Sequence, residues 1–495
     1  MNPLKSYVAK FIFIVVICLA ITTQAVPEKS EVDRLVSAML EDTPAITDLE
    51  QLCDEIGGRP TGSKANLEAV EWALKKFEDA GIPAKKESFT MPKLWLKGSA
   101  EAEADISGDV SFTPRVVAMP FSTATPKTGL KAPLIEVGHG TEEDFTRVGA
   151  KAKGAFILVE TEVLRDFEGL FREYTEGAVI EKRAFAAGVA GVVYMSSRPR
   201  GLLYQHNASL GEENKHPMLV MVREHAKRAL RLLRGGKTLF LTAKIDVQSG
   251  GEYESFNVIG EIRGSEKPGE IVVIGAHLDS WNLGTGANDN GCNVAVVIDV
   301  ARQMKRLGIK PKRTIRFALW NGEEEGLVGS WKYTRMHLDE LDGHVMACSL
   351  DTGSGRISGF VTCGRGEIIE PIKRALKPVE EMGPFNYINV PQTGTDHYDF
   401  MMQGIAAVMF DQEMGDYTLD YHAESDTFDK VDLRQLKKNA AILAAFTYGF
   451  ANMDVTWKRQ TRAEIQELID STPLGKQMEG FGLYPGWLDG SRGRK

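Results

Sequence analysis

From residue 256 to residue 453, short apolar runs of strand length alternate with amphipathic runs of helix length. Residues 271–275, 314–320, 344–350 and 406–410 read as strands, and 292–307, 328–337 and 431–453 read as helices. In the first helix Val297, Val300, Met304 and Leu307 share one face. Such alternation implies a three-layer α/β/α fold with a mostly parallel central sheet, because parallel neighbours need a crossover between them. In sheets of that kind ligands bind outside the carboxyl ends of the strands. The residues at those ends therefore carry the functional question.

They are nearly all acids and imidazoles. Strand 271–275 leads into His277 and Asp279, and the loop beyond it holds Gly286-Ala287-Asn288-Asp289-Asn290-Gly291. Strand 314–320 leads into Glu323, Glu324 and Glu325, strand 344–350 into Asp351, and strand 406–410 into a loop with Tyr421-His422. Each of these alone has an ordinary explanation. A His at a strand end is commonly a hydrogen-bonded structural residue, an Asp in a Gly/Asn-rich loop a turn former, and consecutive Glu residues a solvated face. Chance does not readily give every strand end a ligand-type residue at once, and the set has the composition of a metal site.

Zinc takes imidazole nitrogen and carboxylate oxygen, and a catalytic zinc keeps one position open for water. Two metals about 3.5–4 Å apart need a ligand able to reach both, which a carboxylate can do. Two His and three separate acids fit two such sites sharing one Asp. Of the adjacent Glu323 and Glu324, one can ligate while the other acts as general base on the bound water. Asp279, two residues past His277, can accept the second ring N–H and fix its tautomer. The sequence contains no His-Glu-x-x-His, no Gly-x-Ser-x-Gly and no Walker loop, and Gly284-x-Gly286 meets Asp289 where a dinucleotide fingerprint needs its third Gly.

The rest of the chain surrounds this unit. Lys5 and Lys10, the apolar run 11–21 and the small-residue site Thr23-Gln24-Ala25 predict a cleaved leader and export to a secreted, periplasmic or lumenal compartment. The run of eleven residues is too short to span a bilayer, which takes about 20. Residues 31–82 carry helical spacing around a turn at 57–63, and 83–118 turn strand-like. Residues 130–245 have the pattern of a small α/β module without a clustered site of their own, and 456–495 form a polar tail whose role the sequence leaves open. A net charge of −9 with mixed signs, and no basic stripe, argues against nucleic acid as a partner. Cys53, Cys292, Cys348 and Cys363 could pair in an oxidising compartment, but the metal site does not need them.

His277-x-Asp279, Gly286-Ala287-Asn288-Asp289-Asn290, Gly322-Glu323-Glu324-Glu325-Gly326-Leu327-x-Gly329-Ser330, Asp351 and Tyr421-His422 resemble the co-catalytic zinc exopeptidase family of secreted aminopeptidases and glutamate carboxypeptidases. The run Gly275-Ala276-His277-x-Asp279-Ser280-Trp281 and the turn 310–314 are most similar to the plasma glutamate carboxypeptidase branch. The module at 119–247 resembles a protease-associated domain in its element order. The resemblance implies two Zn²⁺ bridged by Asp289 and a water or hydroxide. His277 and Asp351 would complete one site and Glu324 and His422 the other. It further implies Glu323 as general base, Tyr421 at the oxyanion and a cis peptide after Asp289. His397, in Gly394-Thr395-Asp396-His397, could touch substrate, though support of its loop is the favoured role.

The expected organisation is a leader (1–25), a catalytic domain in two parts (26–118 and 248–455), an inserted domain (119–247) and an extension (456–495). The expected substrates are dipeptides or short peptides, read by a dipeptidase or carboxypeptidase, with an aminopeptidase as the alternative. Neither nucleic acid nor stable membrane insertion is expected, and a homodimer is admitted. A receptor-like ectodomain without activity and a single-zinc glutaminyl cyclase are the remote alternatives. The first would have lost ligands that this chain keeps, and the second does not need a bridging Asp.

Overall fold

A computed structural model describes residues 29–106 and 110–495. The expected leader lies outside the described residues. Among those described, no helix is long and apolar enough to cross a membrane.

Two eight-stranded sheets organise the described chain. The first runs Ala84–Met91, Tyr253–Ile262, Arg313–Trp320, Lys267–His277, His344–Ser349, Ala407–Gln412, Ile357–Val361, Asn386–Ile388. Its four inner strands, from Arg313–Trp320 to Ala407–Gln412, are parallel, and the strands flanking them join antiparallel. Arg313–Trp320 is buried at every position, as a strand covered on both faces must be. Helices Glu31–Leu40, Lys64–Asp79, Cys292–Arg306 and Leu433–Asn452 pack one face. Val328–Met336, His397–Met402, Arg462–Ser471 and Leu474–Gly480 pack the other, so the fold is the expected three-layer α/β/α arrangement. Leu436, Ile442, Leu443, Phe446 and Phe450 on the long helix are sealed in this core. Each contributes roughly 1.5–3 kcal/mol by leaving water.

The second sheet runs Val110–Phe112, Trp95–Ile106, Leu239–Ser249, Leu130–Glu136, Phe156–Val159, Gly191–Met195, Met218–Met221, Val116–Ala118. It begins earlier in sequence than the break expected at 118/119, because Trp95–Ile106 pairs along its length with Leu239–Ser249. That pairing is non-local, so the strand-like pattern of 83–118 could not say which sheet each strand joins. Gly191 lets its strand lie close to its neighbours, since a Cβ there would sit 2.4 Å from the Phe156 ring and 2.6 Å from the Pro217 carbonyl.

The tail is not a polar appendage. It forms helices Arg462–Ser471, Leu474–Gly480 and Tyr484–Leu488, and it buries Ile465, Ile469, Leu474, Met478 and Trp487 in the core of the second face. Among the described residues Cys53, Cys292, Cys348 and Cys363 are buried free thiols.

Candidate metal centre

Register brings the site together. His277 pairs with Trp320 and Gly275 with Ser349 across parallel strands, so the chain leaves all three strands at one edge. His277 ends its strand, Glu323 and Glu324 lie in the turn after Trp320, and Asp351 follows Ser349 by two residues. Asp289 enters from the loop ahead of helix Cys292–Arg306, with a cis Asp289–Asn290 peptide as the resemblance implied. His422 comes from the loop after Ala407–Gln412.

The five expected ligands converge. His277 Nε2 lies 2.9 Å from Asp351 Oδ1 and 3.1 Å from Asp289 Oδ1. His422 Nε2 lies 2.8 Å from Glu324 Oε2 and 3.4 Å from Asp289 Oδ2. Asp289 therefore turns one oxygen to each imidazole. Its Oδ2 is buried and makes no hydrogen bond. Both rings are fixed from behind, with His277 Nδ1 donating to the Asp279 carbonyl and His422 Nδ1 to the Gln205 carbonyl, each at 3.0 Å. That leaves Nε2 of each ring as the nitrogen free to take a metal. Glu323, with His277 and Asp351, also offers atoms close enough to share one ion.

Asp279 differs from its expected part. The ring bonds its backbone carbonyl, while the carboxylate Oδ1 stays 3.7 Å away and has no hydrogen-bond partner. Its Oδ2 instead accepts from the Glu324 amide at 3.4 Å, tying the two strand ends together. His397 is buried with both ring nitrogens engaged locally, Nδ1 with the Thr395 hydroxyl at 2.6 Å and Nε2 with the Gln392 carbonyl at 3.1 Å. Burial lowers its pKa to about 4. Tyr421 stacks on the His422 ring at 3.8 Å, and its hydroxyl is 2.8 Å from that of Tyr174.

Tyr174 belongs to the second sheet's unit, whose sequence shows no clustered site of its own. That unit closes over the centre. Tyr204 and Ala423 form an antiparallel bridge, Gln205 N donates to the His422 carbonyl at 2.9 Å, and Asn207 Nδ2 donates to the Glu324 carbonyl at 2.6 Å. Arg198, fully buried, donates to the Tyr421 carbonyl at 3.0 Å and pairs with Glu173 at 3.1 Å. These contacts hold His422 in a left-handed backbone conformation, φ +56°, which a non-glycine residue adopts only when its surroundings impose it. Gln205 acts through main-chain atoms and so leaves no residue signature in a sequence. Nothing in the sequence around Asn207 or Arg198 sets either apart from other polar groups of the chain.

Electrostatics match a cation site. Burial and then Asp351 push the Glu323 carboxyl well above its usual range, and burial raises Glu324 and takes Asp351 up to about 7. Burial alone would lower His277, yet Asp351 and Glu323 outweigh it and drive the imidazole well up. Asp289 stays low against its burial because His277 and His422 flank it. A divalent cation reverses such a conflict, since its charge lets crowded acids ionise and imidazoles stay neutral. Imidazole and carboxylate donors, with a buried carboxylate oxygen lacking a hydrogen bond, fit zinc.

Residues 257–447 match the model of peptidase family M28. Carboxypeptidase Q of Bos taurus is 27% identical over 426 residues, covering 82% of this chain and 85% of its own. The crystal structure of a peptidase M28 precursor from Shewanella amazonensis is 30% identical with a TM-score of 0.76, over 87% of this chain and 98% of that one. A zinc aminopeptidase from Bacillus subtilis shares the fold, with a TM-score of 0.65 at 23% identity over 84% of this chain and 96% of that one.

Proposed function

Because the chain belongs to peptidase family M28 and is a zinc exopeptidase of it, we propose that it holds two zinc ions with Asp289 between them and cleaves dipeptides or short peptides. One observation carries the reading. Two imidazoles, each locked at Nδ1 by a carbonyl, turn Nε2 toward opposite oxygens of Asp289.

His277 and Asp351 would hold one ion, Glu324 and His422 the other, and Asp289 both. Bound zinc supplies Lewis acidity, polarising the scissile carbonyl and bringing the pKa of a water to about 7. Glu323 accepts the proton of the attacking water on its carboxylate and returns it to the leaving amine nitrogen. The Tyr421 hydroxyl, with Tyr174 beside it, donates to the carbonyl oxygen as that oxygen gains charge. Asp279 steadies the Glu324 amide. Glu323→Gln should keep both zinc ions and lose turnover by 10³-fold or more, on the order of a missing general base acting with a metal. Zinc lost in step with activity would make Glu323 a ligand instead.

Similarity to carboxypeptidase Q supports the dipeptidase or carboxypeptidase reading. One feature favours an aminopeptidase. Arg59 and Arg198, two buried guanidiniums beside the site, are spent on the carbonyls of Leu278, Thr285, Gly286 and Tyr421 and on Glu173. Neither is left to receive a substrate carboxylate. A peptide panel blocked at either end separates the two: a carboxypeptidase or dipeptidase loses substrates amidated at the carboxyl end, an aminopeptidase those acetylated at the amino end.

A further inference from the structure

The turn 321–327, which carries Glu323 and Glu324, has an unusual backbone. Gly322 sits at φ +77°, Gly326 at +112° and Leu327 at +60°, the last a left-handed conformation in a branched residue. Inside the turn the amides of Gly326 and Leu327 both donate to the Glu323 carbonyl, at 2.8 and 2.9 Å. The carbonyls of the same two residues accept from a side chain outside the turn. Arg492, 165 positions along the chain from Leu327, reaches them, with Nη1 donating to the Gly326 carbonyl at 3.1 Å and Nη2 to the Leu327 carbonyl at 3.3 Å. The same guanidinium forks onto Asp399 through Nε at 2.8 Å and Nη2 at 2.6 Å. Asp399 lies on helix His397–Met402, which begins just after the buried Asp396. The pair is sealed, with side-chain exposures of 8% for Arg492 and 1% for Asp399.

We propose that Arg492 is a positioning residue for peptide hydrolysis, fixing the Glu323–Glu324 turn against helix His397–Met402. A planar five-donor fork can bond two carbonyls and a carboxylate at once in fixed directions, whereas an ammonium of equal charge cannot. Arg492 is held in turn from the outer side, where Trp331 Nε1 donates to the Ser491 carbonyl at 3.0 Å and Arg494 N to the Met402 carbonyl at 2.8 Å. The tail thus reaches the catalytic turn through one side chain. The inference rests on Glu323 being the general base. Failure of that assignment would show as an active Glu323→Gln enzyme, a result independent of any Arg492 variant.

Arg365 provides an internal control. It is also a buried clamp, bonding the carbonyls of Gly404 and Lys458 and the Glu367 carboxylate at 3.1, 2.7 and 2.6 Å, but it does not touch the turn. Zinc-loaded Arg492→Lys, Asp399→Asn and Arg365→Lys enzymes are compared well below their melting midpoints, where each is fully folded. Arg492→Lys and Asp399→Asn should each lower kcat at least tenfold, with KM within twofold and zinc content unchanged. Arg365→Lys should keep kcat within twofold even where its melting midpoint falls as far. Unchanged kcat in the folded Arg492→Lys enzyme, an equal loss in Arg365→Lys, or failure of both site variants to fold would each overturn the proposal.

Discussion

Asp289 separates ligand geometry from ordinary acid–base pairing. It is buried between two imidazoles, and a carboxylate in that position could be a partner of either ring alone. Its two oxygens facing different rings is the arrangement a shared ligand requires. Asp289→Ala is expected to lose at least one zinc per chain along with activity, read by elemental mass spectrometry of the purified protein. A fully metallated, active variant would remove Asp289 from the bridging role. At this scale the candidate ligands were legible in the sequence because each sits at a strand end or in the loop that follows one, and strand ends can be read from apolar runs. What lay beyond reading was the layer behind the ligands. The Gln205 carbonyl holding His422, and the Asp279 carbonyl taking the place expected of its carboxylate, act through main-chain atoms common to all residues. Asn207 and Arg492 are side chains, but only the folded chain shows which distant carbonyls they reach.

The elements divide by how local their causes are. The inner strands and the helices Cys292–Arg306 and Leu433–Asn452 fall within a few residues of their expected spans, because burial writes its period directly into the sequence. The short strands Ile357–Val361 and Asn386–Ile388 have too few residues to show a period and exist through pairing at the sheet edge. Helix Phe167–Ala186 carries both Tyr174 and Glu181. Glu181 is 2% exposed, accepting from the Ser209 amide at 2.8 Å and hydroxyl at 3.0 Å, and burial raises its pKa to about 7. An acid whose pKa is raised on folding stabilises below its unfolded value and loses that contribution as pH climbs through the folded one. Ionising Glu181 in place therefore costs up to about 3 kcal/mol above pH 7. Glu181→Gln should melt at a higher temperature than the parent protein at pH 9 and show no such gain at pH 5. A gain at pH 5 that vanishes at pH 9 would contradict the assignment.

Across the whole molecule, three stretches of chain that looked separable meet at one centre. The first sheet and its loops present the candidate ligands, the unit of the second sheet bonds to His422 and Glu324, and the tail bonds to the turn of Glu323. The sequence pattern could mark out the catalytic sheet, since alternation is a property of contiguous chain. It could not assign Trp95–Ile106 to the second sheet or recognise the tail as core, since both depend on partners distant in the chain. The number of metal ions that the working protein holds decides between one shared centre and a single-metal site. Zinc titrated into chelated protein, with bound metal and peptide hydrolysis followed together, should give full activity only as the second equivalent binds and a plateau at two per chain. Full activity at one zinc per chain, with no second ion bound, would contradict it.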